Sequence, residues 1–456
     1  MGQWRGIRET LAFLEQHLPG DVLRIPEEVD RDHIGTALVF ELEQDGRSPV
    51  VVLERVRGSD LPVVTNLAGS RTRMACLIGV PLPELTARWG DWLTRLVPTR
   101  TVGRGPVQEV TLSGDALDLT KLPIPWHFGN DAGRYITGGI VVAHDPDTGV
   151  PNLSYARMQV KGPHRLGVSF HSRGHLWDYV SRAEARGRNL EVAIVIGVDP
   201  IVLVAAAART RPGVNEYEIA GAMRGAPLEV VPCASIGVAV PAHAELVIEG
   251  EVLAGVREDE GPFGEYTGYC TGRSTRHVIQ VHGGMRRRDA IYLDVTPGYS
   301  SEHLLLGRSQ KEHAVLTKLR ETVPSVVSVH YPKSGTHFHC YVNLKKEFEG
   351  QPKHAATLLL GLDPYVKLVI VVDDDVDVTR EEDVLWALAT RFQADRGTFV
   401  IPDMFCNLLD PSSRNGTSAK LALDATRPLD WRFERHTIPD TARAEAQRLL
   451  ACFGQA

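Results

Sequence analysis

Apolar residues recur at helical spacing over residues 3–17, with Ile7, Leu11 and Leu14 on one side and Leu18 extending the stripe. Three short apolar runs follow, Thr36–Leu42, Val50–Leu53 and Leu61–Val64, and each predicts a strand between turn residues. Pro83–Leu96 predicts a second helix, and the prolines and glycines of Pro98–Pro106 close this unit. The middle third is β-rich. Strands are predicted at Ile136–Ala143, Ser154–Val160, Leu190–Ile196, Leu228–Val231, Ala244–Glu249, Arg276–His282 and Ala290–Val295. Helices are predicted at Leu176–Ala185 and Glu216–Met223. Many short strands with few helices predict a barrel or sandwich.

The last third alternates strands with helices, which predicts an α/β domain with a largely covered sheet. Ser309-Gln310-Lys311-Glu312 and Thr379-Arg380-Glu381-Glu382 read as capping boxes that open helices to Glu321 and Phe392. Strands are predicted at Ser325–His330, His337–Leu344 and Lys367–Val372, with a helix over His354–Gly361. Asp440–Phe453 predicts a terminal helix whose stripe of Ala442, Ala446, Leu449 and Phe453 must bury itself on its own chain or on a partner subunit. The pattern thus predicts a multi-domain α/β chain in three parts, residues 1–105, 106–305 and 306–456.

Composition narrows the class. The 456 residues are 43% hydrophobic, enough for ordinary globular cores, and the net charge of −7 argues against a dominant nucleic-acid role. Six cysteines lie far apart with no C-x-x-C, which fits reduced thiols better than a disulfide frame or a zinc site. No apolar run reaches the length of a membrane span, and Met1–Gly20 has no secretory h-region. These features predict a soluble cytoplasmic protein.

The richest chemistry lies in Glu258–Tyr269. Four carboxylates and three glycines fall between Glu258 and Gly268, and Gly-Pro and Phe-Gly punctuation predicts a loop. Glu260 and Glu265 flank its tightest turn. A rigid loop presenting two carboxylates suits general acid–base work; from composition, a solvated acidic turn reads the same. Asp373-Asp374-Asp375, after a strand, reads either as a hard-cation site or as a solvated strand exit. His337 and His339 would share a face of one strand, at a spacing that a zinc site or a structural strand both allow. No phosphate-binding Gly-rich motif and no G-x-S-x-G elbow is present.

A set of motifs runs through nearly the whole chain in one order: Asn152–Gln159 (NLSYARMQ), Ser172–His175 (SRGH), Ala193–Pro200 (AIVIGVDP), Glu216–Gly221 (EYEIAG), Val240–Gly250 (VPAHAELVIEG), Glu260–Tyr269 (EGPFGEYTGY), Val371–Trp386 (VVDDDVDVTREEDVLW) and Ser418–Thr426 (SAKLALDAT). In this ordered set the chain resembles the UbiD-type decarboxylases, which use prenylated FMN. The resemblance implies a catalytic trio at Arg157, Glu260 and Glu265. It implies Asn152, His175 and Glu216 as ligands of a divalent metal, Mn2+ or Mg2+, that ties the cofactor phosphate to the protein, often with K+ beside it. It places Tyr155, Ala156, Arg157, Arg173, Gly174 and His175 at the cofactor, with Lys353 a looser match. It turns the triple-Asp and paired-His stretches into structural features.

Loss of CO2 from an sp2 carbon needs an electron sink that side chains do not offer, so a cofactor must supply it. In the family, prenylated FMN does so as a 1,3-dipole that adds across the substrate double bond. The resemblance therefore implies a reversible decarboxylase of an α,β-unsaturated or (hetero)aromatic acid. Glu265 would be the proton donor, and Glu260 would stay ionised against Arg157. It further implies a central split β-barrel like that of flavin reductases, a C-terminal domain that closes over the site, a homodimer exchanging terminal helices, and a flavin prenyltransferase as cofactor supplier. Rival readings are a plain FMN oxidoreductase on the same barrel, a non-catalytic subunit or cofactor chaperone, and a metal hydrolase built on Asn152, His175 and Glu216.

Overall fold

The computed structural model describes residues 6–170 and 174–453. The first helix forms at Ile7–His17 and buries Ile7, Leu11 and Leu14. Thr36–Leu42, predicted as a strand, lies instead in the helix Ile34–Gln44. Its buried residues Thr36, Val39 and Leu42 recur every three positions, so one helical face meets the strand Val50–Val56. A strand at Val22–Val29 and a helix at Arg71–Ile78 were not predicted. The helix is capped by the Ser70 side chain, which accepts from the Arg73 amide, and it ends at Gly79 in the left-handed region. Val22–Val29, Val50–Val56 and Val63–Thr65 form a sheet whose fourth strand, Tyr292–Leu293, comes from the middle third.

The central sheet has nine strands, paired antiparallel throughout. Its spine is the pair Leu246–Glu260 and Ser274–Arg286, in register from Leu246↔Arg286 to Glu260↔Ser274. Glu258, Asp259 and Glu260 therefore end a strand rather than sit in a loop, because each pairs across to Thr275 or its neighbours. Ser154–Val160, predicted as one strand, is two: Pro151–Tyr155 and Arg157–Gly162. The first pairs with Ile140–His144 at one end of the sheet, and the second with Arg165–Ser169 toward the other. One residue, Ala156, joins strands that are far apart in the sheet order, and this is possible only because the sheet curls into a half-barrel. One continuous hydrophobic core runs from Ile7 to Leu306 and joins this sheet to the N-terminal elements.

The C-terminal sheet has the order Val326–His330, His339–Leu344, Leu368–Asp373, Thr417–Asp424, Thr398–Phe405. Helices Arg308–Thr322 and Gln351–Leu362 cover one face, and Glu381–Arg391 covers the other. Its last two strands were not predicted; their outward positions are largely exposed, so they lack a clean apolar signal. Neither capping box forms. Gly307 precedes the first helix, and the Ser309 hydroxyl accepts from Trp89 Nε1 at 3.0 Å instead. The second helix starts at Glu381, and the Thr379 hydroxyl donates to Asp377 at 2.7 Å. His337 lies in a turn before the strand that His339 begins, so the two rings do not share a strand face. Asp373 and Asp375 are ion-paired to Arg391 and Arg427. The terminal helix forms at Asp440–Phe453, and its side chains from 440 to 450 are exposed on the single chain. Among the described residues no helix is long and apolar enough to cross a membrane. The whole is a mixed α/β, multi-domain fold.

Candidate active site

Arg157 opens a strand at one side of the half-barrel, facing the end of the long strand that carries Glu260. Its guanidinium is held bidentately: Nε and Nη2 each donate to Glu260 at 2.9 Å. The third nitrogen, Nη1, donates to Glu265. The Glu260 side chain is 0% exposed, while those of Arg157 and Glu265 are each 12% exposed. Burial alone would lower the Arg157 pKa, but hydrogen bonding to Glu260 and the charges of Glu260 and Glu265 outweigh it and raise it. The guanidinium also lies 5.1 Å from the Phe263 ring centre.

Between the two glutamates the chain turns within a few residues. Gly261 sits at φ +86, and a Cβ there would meet the Gly272 carbonyl oxygen at 2.8 Å. Phe263–Gly264 then pairs with Cys270–Thr271 as a short hairpin. Gly264 is required for a different reason: a Cβ would stand 2.4 Å from the Phe128 ring. The Glu265 amide donates to the Tyr269 carbonyl at 2.9 Å, which fixes the carboxylate at the head of the hairpin.

Asn152, His175 and Glu216 meet on the other side of Ala156. Asn152 Nδ2 lies 3.3 Å from His175 Nδ1 and donates to Glu216 Oε1 at 3.1 Å. Glu216 also accepts from the Leu153 amide at 3.0 Å and from the Thr210 hydroxyl at 2.9 Å. Each of the three comes from a defined start: Asn152 from the strand after the 145–149 turn, His175 from the first turn of a helix behind Gly174, and Glu216 from the first turn of a helix capped by Asn215. Glu216 is 1% exposed, and burial pushes its carboxyl up to about 7 against the hydrogen bonds that lower it. Among the described residues no cationic side chain bonds this carboxylate. Two oxygen donors and an imidazole around an uncompensated buried acid fit a hard divalent cation. Among the described residues no three His, Cys, Asp or Glu side chains form a metal cluster, and this group has only two of those types.

Tyr155 and Ala156 link the two groups. The Tyr155 hydroxyl donates to the Leu203 carbonyl at 3.2 Å, and Ala156 is buried. Gly174 precedes the His175 helix in extended conformation. Arg173 lies outside the described residues. Lys353 does not join the group: it is exposed on the helix Gln351–Leu362, with Nζ 5.6 Å from the Phe399 ring centre.

Three contributors were not foreseen. Asp131 accepts from the Gly264 amide at 2.7 Å and the Phe128 amide at 3.0 Å, so it braces the Glu265 hairpin. Tyr135 donates to the Pro262 carbonyl at 3.3 Å and packs its ring, tilted by 53°, against Phe263 with ring centres 4.6 Å apart. Its phenol pKa is raised, by burial first and by the Glu260 charge second. Asp131 lies in a Gly/Asn-rich stretch of no regular structure, and only the length of that stretch signalled a role. On the C-terminal side, Tyr266 packs 6.1 Å from the His303 ring and 4.9 Å from the His337 ring. His303, whose pKa is lowered by burial, senses the Glu265 charge.

Family models for the N-terminal, Rift-related and C-terminal domains of 3-octaprenyl-4-hydroxybenzoate carboxy-lyase, the UbiD family, match residues 11–93, 100–300 and 305–425. The anhydromevalonate phosphate decarboxylase of Methanothermobacter thermautotrophicus is 35% identical over 411 residues, 90% of this chain and 95% of that protein. The UbiD-class enzyme HmfF of Pelotomaculum thermopropionicum, solved with FMN, superposes with a TM-score of 0.91 at 44% identity over 96% of this chain and 98% of that one. An evolved dimeric form of it, solved with prFMN, gives 0.88 at 41% identity, with 96% and 98% covered. The 3,4-dihydroxybenzoic acid decarboxylase AroY of Klebsiella pneumoniae, solved without cofactor, gives 0.90 at 28% identity over 98% and 99%. With three successive domain matches and relatives aligned over nine-tenths of its length, the chain belongs to the UbiD family of carboxy-lyases.

Proposed function

We propose that this enzyme reversibly decarboxylates an α,β-unsaturated or (hetero)aromatic carboxylic acid with prenylated FMN as cofactor. The observation that carries this reading is one guanidinium, Arg157, shared by a fully buried Glu260 and a slightly exposed Glu265, five residues along the chain from Asn152, which meets His175 and Glu216. Relatives solved with FMN and prFMN, and relatives that decarboxylate 3,4-dihydroxybenzoic acid or anhydromevalonate phosphate, support it. The curled central sheet serves as the flavin-binding split barrel. Asn152, His175 and Glu216 would hold Mn2+ or Mg2+, whose positive charge would offset the buried Glu216 carboxylate and favour a phosphate of the cofactor. Tyr155, Ala156 and Gly174, which lie between and beside the two groups, would line the flavin when it is bound. When bound, prenylated FMN supplies the electron sink that lets CO2 leave an sp2 carbon.

The side chains divide the remaining work. Arg157 keeps Glu260 ionised through two parallel N–H bonds and orients Glu265 through the third nitrogen. Glu265, at the head of its hairpin, gives a proton to the carbon that has lost CO2 and takes it back in carboxylation. The Tyr266 cluster on the C-terminal side excludes water from that proton. The enzyme works in the cytoplasm as a homodimer through its exposed terminal helix, and a flavin prenyltransferase supplies the cofactor.

The test is a UV–visible and native mass spectrum of protein co-expressed with a flavin prenyltransferase, followed by a screen of unsaturated and aromatic acids for CO2 release. A bound mass of FMN plus a five-carbon unit, with metal and CO2 release, is expected. Unmodified FMN alone with no acid turned over would replace this reading by an oxidoreductase.

A further inference from the structure

Glu216 takes one of its hydrogen bonds from outside its own helix and the Asn152 strand. The Thr210 hydroxyl donates to Oε1 at 2.9 Å, beside the bond from Asn152 at 3.1 Å. Thr210 lies in the loop between the helices Pro200–Ala206 and Glu216–Arg224, so its aim depends on how the peptide beside it is held. One side chain holds that peptide from both ends. The Arg209 amide donates to Gln310 Oε1 at 3.3 Å, and Gln310 Nε2 donates back to the Arg209 carbonyl at 3.2 Å. Gln310 is 3% exposed, so losing this pairing would leave both ends of its amide buried and unmet.

Gln310 stands in the first turn of the helix Arg308–Thr322, whose later residues Val315 and Leu319 belong to the C-terminal core. The Arg209 side chain makes a second link to that domain. Its Nη2 donates to the Tyr365 hydroxyl at 3.3 Å, and its guanidinium lies 5.2 Å from the Tyr365 ring centre. Tyr365 belongs to the buried cluster of Tyr266 and Leu304, and its ring centre is 6.3 Å from that of Tyr266, the residue after Glu265. Two consecutive residues therefore touch both halves of the site: Thr210 the Glu216 carboxylate, and Arg209 the aromatic cluster beside Glu265. Arg209 is exposed, so its ring contact is the weaker link and the buried Gln310 pairing the stronger.

We propose that Gln310 is a positioning residue for the divalent-cation group, acting through Thr210 on Glu216, so that cation affinity is coupled to the seating of the C-terminal domain on the 209–210 loop. This rests on the reading of Asn152, His175 and Glu216 as metal ligands. An outer partner that fixes a ligating side chain is worth about tenfold or more in metal affinity. The coupling is reciprocal: a cation that needs Glu216 aimed must in turn tighten the Gln310 contact.

The experiment titrates Mn2+ into full-length, chelator-treated protein with FMN in excess, and reads free Mn2+ by electron paramagnetic resonance. Wild type is compared with Gln310→Leu, Thr210→Val, their double variant and Thr210→Ser. Gln310→Leu and Thr210→Val should each weaken Mn2+ binding about tenfold. The double variant should bind no more weakly than Thr210→Val alone, because Gln310 acts through that hydroxyl. Thr210→Ser keeps the hydroxyl and should bind as wild type does. Hydrogen exchange of the 363–366 turn should slow when Mn2+ is added to wild type, and not when it is added to Gln310→Leu. Losses that add in the double variant, or a Gln310→Leu affinity within about twofold of wild type, overturn the proposal. Should Gln310→Leu fail to fold, Gln310→Glu, which lacks the donor to Arg209, carries the same cycle with the same outcomes. Glu216→Gln separates the two readings. Mn2+ affinity that survives Glu216→Gln, or no Mn2+ binding by wild type, overturns the metal assignment and the coupling with it. Binding lost in Glu216→Gln but untouched in Gln310→Leu overturns the coupling alone.

Discussion

Glu265→Gln and Glu260→Gln remove the same charge from the two ends of one guanidinium, and the structure predicts opposite consequences. Glu260 is fully buried and takes two N–H bonds of 2.9 Å from Arg157. Breaking a buried ion pair costs about 3–5 kcal/mol. A Gln at 260 keeps one acceptor, so its cost sits at the lower end, about 3 kcal/mol. Glu265 has one contact with Arg157 and some exposure, and its loss leaves Arg157 paired, so Glu265→Gln costs roughly 1 kcal/mol. Activity runs the other way. A general acid contributes about 10²–10⁴ in rate, so Glu265→Gln should lose that much turnover with cofactor and metal still bound. At about 1.36 kcal/mol per tenfold, this is roughly 3–5 kcal/mol of barrier from a change worth far less in stability. The assay pairs thermal unfolding of each variant with CO2 release and with a count of bound flavin by native mass. Turnover of Glu265→Gln within tenfold of wild type at full flavin loading would refute the donor assignment. Equal destabilisation by the two variants would refute the division of labour.

Asp131→Ala frees the Gly264 amide and should lower stability by about 1–3 kcal/mol and turnover by about a hundredfold, because the hairpin carrying Glu265 loses its brace; Asp131→Asn, which keeps an acceptor, should retain most activity in the same assay. Gly264→Ala should give protein with little activity, since its Cβ would lie 2.4 Å from the Phe128 ring, whereas Gly35→Ala, with a Leu53 methyl at 3.5 Å, should be near normal; both are read by CO2 release from soluble protein. Glu302 is buried, and burial raises its pKa from 4.5 to about 7 against amide bonds from Ala68, Thr296 and Asn66. Its folded form keeps a proton that the unfolded chain loses, so its contribution is full below pH 4.5 and is lost as pH rises through about 7. That is worth about 3 kcal/mol across the window, and urea midpoints should show a flatter pH dependence over it for Glu302→Gln than for wild type.

Legibility in the sequence followed local amphipathicity. The strand Leu190–Ile196 and the helices at Leu176, Glu216 and Asp440 stand where the pattern put them, because each carries an uninterrupted apolar stripe or run. Thr36–Leu42 failed because β-branched and aromatic residues at helical spacing also make a short apolar run, and packing against Val50–Val56 selected the helix. The capping boxes failed because Ser309 and Thr379 spend their hydroxyls on Trp89 and Asp377.

The break at Ala156 explains why the site reads as scattered motifs. Asn152 and Arg157 sit five residues apart in sequence but on strands that pair with different partners in the central sheet. Had the segment been one strand, as its pattern predicts, side chains would alternate through it, and Asn152 and Arg157 would point to opposite faces. The curl of the sheet instead lets the chain step across its own open side at Ala156. Asn152 then meets His175 and Glu216 from helices, while Arg157 meets Glu260 and Glu265 at the end of the longest strand. A pattern of alternation cannot encode that step, since it is a property of the sheet as a whole. It follows that the two halves of the site are held in register by one residue of backbone.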